Sequence, residues 1–345
     1  MTRSAWTILP FLVMAGITAG LSARADDDVP ASIAQTCHDT ANARPPQSDL
    51  PTAQQKRALT DCDSEALYFG IGLPADPAKA RLCAFVEQTE ETDVNPHGYY
   101  GSHMLMMVYA NGKGAARDLP YALHLACTRS WAPAEAEARV AHLQGTRQPW
   151  YKQDFDFCDD ATSGQTGGFC EAHQARFQQE KTKRVIAAFR ARLPVSARAI
   201  FQVLTEAQAK WAAERADNEI DQSGTLRSAF VIHEEELQNQ DFADMLTRLQ
   251  GGHPPPLGQK ERTAADNRIR HALKQLAAPG MLADAGTVTW GKIEQAQAAW
   301  TLYRDAWGRF AQIAYPTWGP VGAEAWVTMK RADMLAHLLP HDPPR

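Results

Sequence analysis

The amino-acid sequence predicts an all-α protein: a helical-hairpin solenoid in the first half, then a helical domain with two related helix-loop-helix units. Three patterns carry this expectation. Apolar residues late in the chain recur at alternating spacings of three and four, the period of one helix face. The first half matches itself with a period of 42 residues, and the second half with a constant offset of 89.

Taken in order, the chain begins Met1-Thr2-Arg3, runs apolar from Ala5 to Leu21 and reaches Ser22-Ala23-Arg24-Ala25 before three aspartates. That layout predicts a signal peptide (1–25) cleaved after Ala25, because the apolar stretch is short for a full span and the Ala-x-Ala site is well placed. The first cysteine is Cys37, so no lipid anchor is expected. Cleavage removes Arg3 and Arg24 and no acid, which takes the net charge from -5 to -7. A mildly acidic exported chain of this kind, periplasmic or secreted, speaks against nucleic acid and leaves a protein partner open. No later stretch is long enough for stable membrane insertion.

Residues 26–58 form a lead-in whose "ARPPQSDLP" predicts an extended or loose segment. All six cysteines lie in the first half of the chain, and an even number in an exported protein predicts disulfides; no Cys-x-x-Cys favours zinc, and no metal or cofactor is expected. Cys158 pairs with Cys170 across "DDATSGQTGGF", read as a short flexible loop whose closure is worth about 3 kcal/mol in the chain-entropy model. Sequence order suggests Cys37 with Cys62 and Cys83 with Cys127.

Residues 59–148 hold the repeats. "EALYFGIGLPADPAKARLCAF" (65–85) and "MLMMVYANGKGAARDLPYALHLAC" (104–127) each have an apolar helix, a glycine turn, an aspartate (Asp76, Asp118) and an alanine four residues on (Ala80, Ala122). "WAPAEAEARVAHL" (131–143) starts a third hairpin. Met104 and Met107, with Leu105 and Val108, fall at helical spacing and read as helix core rather than as a ligand site. His97 and His103 bring no third ligand with them and read as surface or hydrogen-bonded residues.

Residues 149–345 are helical on both sides of a break at "GGHPPPLG" (251–258). Across it, "AQAKWAAERADNE" (207–219) lies over "AQAAWTLYRDAWG" (296–308), and "ADMLTRL" (243–249) over "ADMLAHL" (332–338). Ile293, Ala296, Trp300, Tyr303, Trp307 and Phe310 form one apolar seam, flanked by Arg304 and Asp305. The first copy carries Leu204, Ala207 and Trp211 on that face and then turns polar at Glu214, Asn218 and Asp221. A helix of this kind is expected to emerge into solvent or a cleft, just before the turn holding Ser223, Gly224, Thr225 and Arg227.

"YANGKGAARDLPYALHLA" resembles a Sel-one-like repeat, a relative of tetratricopeptide repeats, which implies a protein-interaction scaffold without chemistry of its own. "FDFCDDATSGQTGGFC", "AQAAWTLYRDAW" and "KRADMLAHL" resemble the LprI-type lysozyme-inhibitor family over roughly 154–340. Cys158 and Cys170, Gln297, Trp300, Tyr303, Arg304, Asp305, Arg331 and Leu335 match its pattern, and Gln208, Trp211 and Arg215 repeat part of it. Gly308 stands where the family has a further cysteine; the family's Gly-Gly-Ser turn has no counterpart after Arg304, although the first copy has Ser223-Gly224-Thr225.

The resemblance implies a non-catalytic protein that binds a lysozyme or another peptidoglycan-acting enzyme. Retaining glycosidases hold two carboxyl groups about 5 Å apart in a cleft, which a hydroxyl-bearing loop with a cation would fit. Two other readings stand beside it. One is an envelope scaffold using the repeats; the other is a hydrolase drawing an acid and base from Glu214, Asp217, Glu219 and Asp221. "HEEEL" (233–237) fails as a zinc-protease motif because Leu237 occupies the second histidine's place.

Overall fold

The structure is a computed structural model describing residues 29–91, 98–128, 132–145 and 154–339; the expected signal peptide and His97 lie outside these residues. Among the described residues there are thirteen α-helices and no strand. None of the helices is long and apolar enough to cross a membrane.

Short helices make up the first half: α1 (Ala34–Thr40), α2 (Ala53–Ala58), α3 (Ser64–Phe69), α4 (Pro77–Glu87), α5 (Gly101–Asn111), α6 (Leu119–Thr128) and α7 (Pro133–Leu143). From α3 to α7 each packs on the next. The 42-residue correspondence is matched bond for bond. Asp76 caps α4 by accepting from Lys79 N at 3.0 Å, and Asp118 accepts from Tyr121 N at 3.1 Å at the start of α6. Asp76 N donates to Leu67 O as Asp118 N does to Tyr109 O, and Ile71 N donates to Ala66 O as Lys113 N does to Val108 O. Gly70 and Gly112 end α3 and α5 with φ of +75° and +65°, where a side chain would be strained. Ala80 and Ala122 are fully buried where helices approach closely, and α5 is buried on every face, so its methionines are core. His103 is buried too, rather than at the surface, with its ring 4.5 Å from that of Phe157.

The lead-in, expected to be partly loose, is folded onto this stack. Asp49 accepts from the Tyr109 hydroxyl at 3.1 Å and lies 3.3 Å from the Arg81 guanidinium. Because α1 folds back across α6, Cys37 meets Cys127, and the turn before α3 sets Cys62 on Cys83 of α4. The pairs expected from sequence order, Cys37 with Cys62 and Cys83 with Cys127, are therefore not formed; neighbours along the chain are not neighbours in space here. Cys158 is bonded to Cys170 as expected. The segment between them is not a flexible loop, however: a short 3-10 turn spans Phe157–Asp160, and the helix α8 (Gly164–Arg192) has begun by Gly164, capped by Ser163.

Six longer helices form the second half, α8 followed by α9 (Val195–Glu219), α10 (Arg227–Gln250), α11 (Gln259–Leu276), α12 (Trp290–Ala314) and α13 (Gly319–His337). α8 packs on α10 and α11 on α13, while the middle helices α9 and α12 pack on each other. The seam from Ile293 to Phe310 lies entirely in the core between them. Residues 89 apart meet at the centre: Asp241 is ion-paired with Lys330, and Trp211 with Trp300 and Gln238 with Val327 line one small cavity.

A buried charge network crosses the same centre. Arg331 donates in a fork to Glu219, at 2.7 and 2.5 Å, and its Nε donates to Gln297 Oε1 at 2.9 Å; both charged side chains are shut off from solvent. Its guanidinium lies 4.9 Å from the Trp211 ring centre. Arg215 joins Glu219 to Glu234, whose Oε1 also accepts from Gln238. Such a network is costly to desolvate and is retained only with its partners in place.

α8 carries the first half. Its leading turn is held by Glu135 of α7, which accepts from Thr162 N (3.0 Å), Ser163 N (2.7 Å) and the Thr166 hydroxyl (2.9 Å). Farther along, His173 Nδ1 lies 2.5 Å from Glu65, and Arg176 pairs with Asp63 and Glu65 of α3.

Candidate functional site

The turn joining α9 to α10 is the feature that the sequence singled out, and its residues Ser223, Gly224, Thr225, Leu226 and Arg227 are all exposed. It is nonetheless fixed at both ends. On one side Asp221 accepts from Ser223 N (3.0 Å), the Ser223 hydroxyl (2.6 Å) and Thr287 N (2.9 Å), so the α11–α12 connection anchors it. These hydrogen bonds, the Ser223 hydroxyl first, hold the Asp221 pKa down to about 2. On the other side the start of α8 lies beneath it: a methyl group on Gly164 would run into the Thr225 carbonyl, and one on Gly168 into the Ser228 hydroxyl. The "GQTGG" run is thus glycine-rich because the residues from Thr225 to Ser228 sit close against it, not because it bends.

Gly224 adopts φ +82° at the tip, and its carbonyl accepts from Arg227 Nη1 at 3.2 Å. Two large apolar side chains, Leu226 and Phe230, are exposed beside the tip. The turn offers hydroxyls, a cation and an apolar flank on a backbone that is already ordered.

Other sequence-singled residues lie elsewhere. Asn218, expected on an end emerging into solvent or a cleft, is buried, with Nδ2 donating to Glu214 O (2.8 Å) and Glu214 Oε2 (3.0 Å), while the next residue, Glu219, enters the charge network. Glu214 and Asn218 therefore face each other rather than the turn. The carboxylates considered as an acid and base are separated in role: Glu219 is bound to Arg331 and Arg215, and Asp221 to Ser223 and Thr287. Gln208 holds α9 to α10 through Asn239 Oδ1 at 3.0 Å, and Gln297 holds α12 to α13 through Arg331. Trp211, Trp300 and Tyr303 are core, and Arg304 lies 5.2 Å above the Trp300 ring while pairing with Asp305. His233 of "HEEEL" lies 2.8 Å from Glu171 of α8.

Sequence reasoning missed a cleft of about 450 Å³ between the first half and α8. Asp61, Asp63, Glu65, Glu87, Tyr99, His173 and Arg176 are among its lining residues. The His173 ring stacks on Tyr99 at 3.9 Å. Burial raises the pKa of Glu87, against the hydrogen bonds it accepts from Gly101 N and from Ser64. No local pattern announces this cleft, since α8 comes to it from far along the chain: His173 meets Glu65 across 108 residues.

No family model, no curated protein and no solved structure matches this chain.

Proposed function

We propose that the protein is an exported, non-catalytic binding protein, and that it grips its partner with the α9–α10 turn. The observation that carries this reading is the turn itself, exposed yet pinned by Asp221 to Thr287 and seated on the glycines of α8. A loop ordered before contact loses little conformational entropy on binding, which is where most loops forfeit affinity. Export is supported by the three disulfides, which persist in oxidising compartments, together with the leader expected at residues 1–25; the periplasm is the compartment proposed.

The partner proposed is a muramidase of the lysozyme kind, in keeping with the resemblance of residues 154–340 to the LprI-type family. Ser223, Thr225 and Arg227 would meet the paired carboxylates of its cleft. The test is binding of the full mature chain to lysozyme, followed by inhibition of cell-wall hydrolysis. The T225A/R227A variant is expected to bind at least tenfold more weakly with an unchanged melting temperature. Equal binding by that variant removes the turn from the reading, and no binding by the unaltered protein removes the partner.

A second reading, an envelope scaffold acting through the repeats, is supported by the cleft between those helices and α8. Partner capture that survives T225A/R227A but fails when Tyr100 of the cleft is replaced by alanine would favour it.

A further inference from the structure

The connections α8–α9, α10–α11 and α12–α13 come together at one end of the long helices. Phe189 of α8 and Phe201 of α9 lie 6.1 and 5.5 Å from Phe310 of α12, and Trp318 Nε1 donates to Pro255 O at 3.0 Å. The chain as a whole carries a net charge of -5, yet the stretches 185–205, 247–260 and 306–323 hold six cations and no acid. Arg190, Arg192, Arg198, Arg248, Lys260 and Arg309 are all exposed, and among the described residues none of them is in an ion pair. Just beyond these stretches Asp305 is paired with Arg304, Glu324 is paired with Arg262, and Glu261 accepts from Gly258 N. Helix dipoles favour cations at the ends of α8 and α10, but not Lys260 in the first turn of α11. Apolar side chains stand beside the charges: Val195, between Arg192 and Arg198 in the chain, is 79 % exposed, and Ile313 is 47 % exposed. Between Arg190 and Arg198 an open recess of about 420 Å³ is floored by Ala187 and Ala191.

We infer that this end of the bundle docks on the anionic phospholipid surface of a membrane. Arginine guanidinium groups take phosphate oxygens in a two-pronged hydrogen bond, and the recess between Arg190 and Arg198 has room for one headgroup phosphate. Val195 enters the apolar boundary beneath the headgroups, so that charge and apolar burial act together in a reversible association. An attraction by charge alone, as toward an acidic protein, has no use for a valine held out in water. The chain is acidic overall, so an anionic surface repels it except at this end and thereby orients it. α9 has 25 residues and is about 37 Å long, which carries the α9–α10 turn away from the membrane. The docking is independent of what that turn binds.

The experiment is co-sedimentation of the full mature chain with vesicles of phosphatidylglycerol and phosphatidylcholine in equal parts, and with vesicles of phosphatidylcholine alone. Binding to the first and not to the second is expected at low salt, weakening at least tenfold when salt is raised to about 0.5 M. R190E/K260E, at exposed positions, should bind at least tenfold more weakly with an unchanged melting temperature, whereas R190K/K260R keeps the charges and should bind as the unaltered protein does. V195D should weaken binding several-fold. No cysteine is free, so Val195→Cys carries a single thiol for an environment-sensitive dye, whose emission should shift to the blue on the phosphatidylglycerol vesicles. Absence of binding to those vesicles overturns the inference, as does equal binding by R190E/K260E. Binding that V195D leaves unchanged, with no shift of the dye, also overturns it and assigns the basic end to an acidic protein instead.

Discussion

The two halves of this chain solve the same problem differently. Helices α3 to α7 are 6 to 11 residues long, and all three disulfides lie in or beside them. Helices α8 to α13 run from 18 to 29 residues and, apart from Cys170 at the start of α8, hold no cysteine. Short helices bury little apolar surface each, so the first half constrains its unfolded state covalently. Long helices bury enough on their own: a single seam in α12 places two tryptophans, a tyrosine and a phenylalanine in the core. Both halves hold charges inside, Glu135 with Arg139 in the first and Glu219 with Arg331 in the second.

That contrast breaks most readily at Cys37–Cys127, which closes a separation of 90 residues. C37S/C127S is expected to lose about 4 to 5 kcal/mol in the chain-entropy model, and to melt the first half ahead of the second. Far-ultraviolet dichroism should then show an early phase that the near-ultraviolet signal of Trp211, Trp300 and Trp307 does not share. A single coincident transition would mean that the halves are one cooperative unit.

The buried charges give the next largest effect. R331M leaves Glu219 buried without its fork and should cost about 3 to 5 kcal/mol in denaturant unfolding. The double variant R331M/E219M should recover most of that loss; if it is as unstable as the single variant, the pair is not what holds the centre.

At the junction of the halves, Glu135 has its pKa lowered: burial alone would raise it, but the hydrogen bonds from Ser163, Thr162 and Thr166 outweigh burial. A carboxylate with a depressed folded pKa adds stability above its unfolded pKa, about 4.5, and loses it as pH falls through the folded value. E135Q should therefore be less stable than the unaltered protein at pH 7, and in thermal melts the gap should narrow as the pH falls below about 4.5 and through the lowered folded value. A gap that stays constant with pH would assign the effect to packing.

The smallest effect is expected at Asp241 and Lys330, which are about one-third exposed. D241N should cost about 0.2 to 1 kcal/mol, fading with added salt.

What was legible in the sequence was whatever depends on nearby residues. The seam of α12 and the repeated turn after Tyr109 follow from spacing alone, and each is found where the pattern put it. The α9–α10 turn was legible because polar residues replace apolar ones on one helix face, but spacing does not show that Glu219, at the end of α9, is held by Arg331, 112 residues away. Cysteine pairing failed for the same cause, because only the return of α1 across α6 brings Cys37 to Cys127. The glycines at 164 to 168 were read as flexibility when they record the close approach of Thr225 and Ser228.

Asp241 and Lys330 occupy corresponding places in the two matching units, 89 residues apart, and they face each other. If two molecules exchanged units, first with first or second with second, that place would hold two aspartates or two lysines. Opposite signs at a self-facing position thus reward only the mixed pairing. A first unit set against another first unit would lose this attraction, whereas a first unit set against a second keeps it, so the charge pair fixes which kinds of unit belong together.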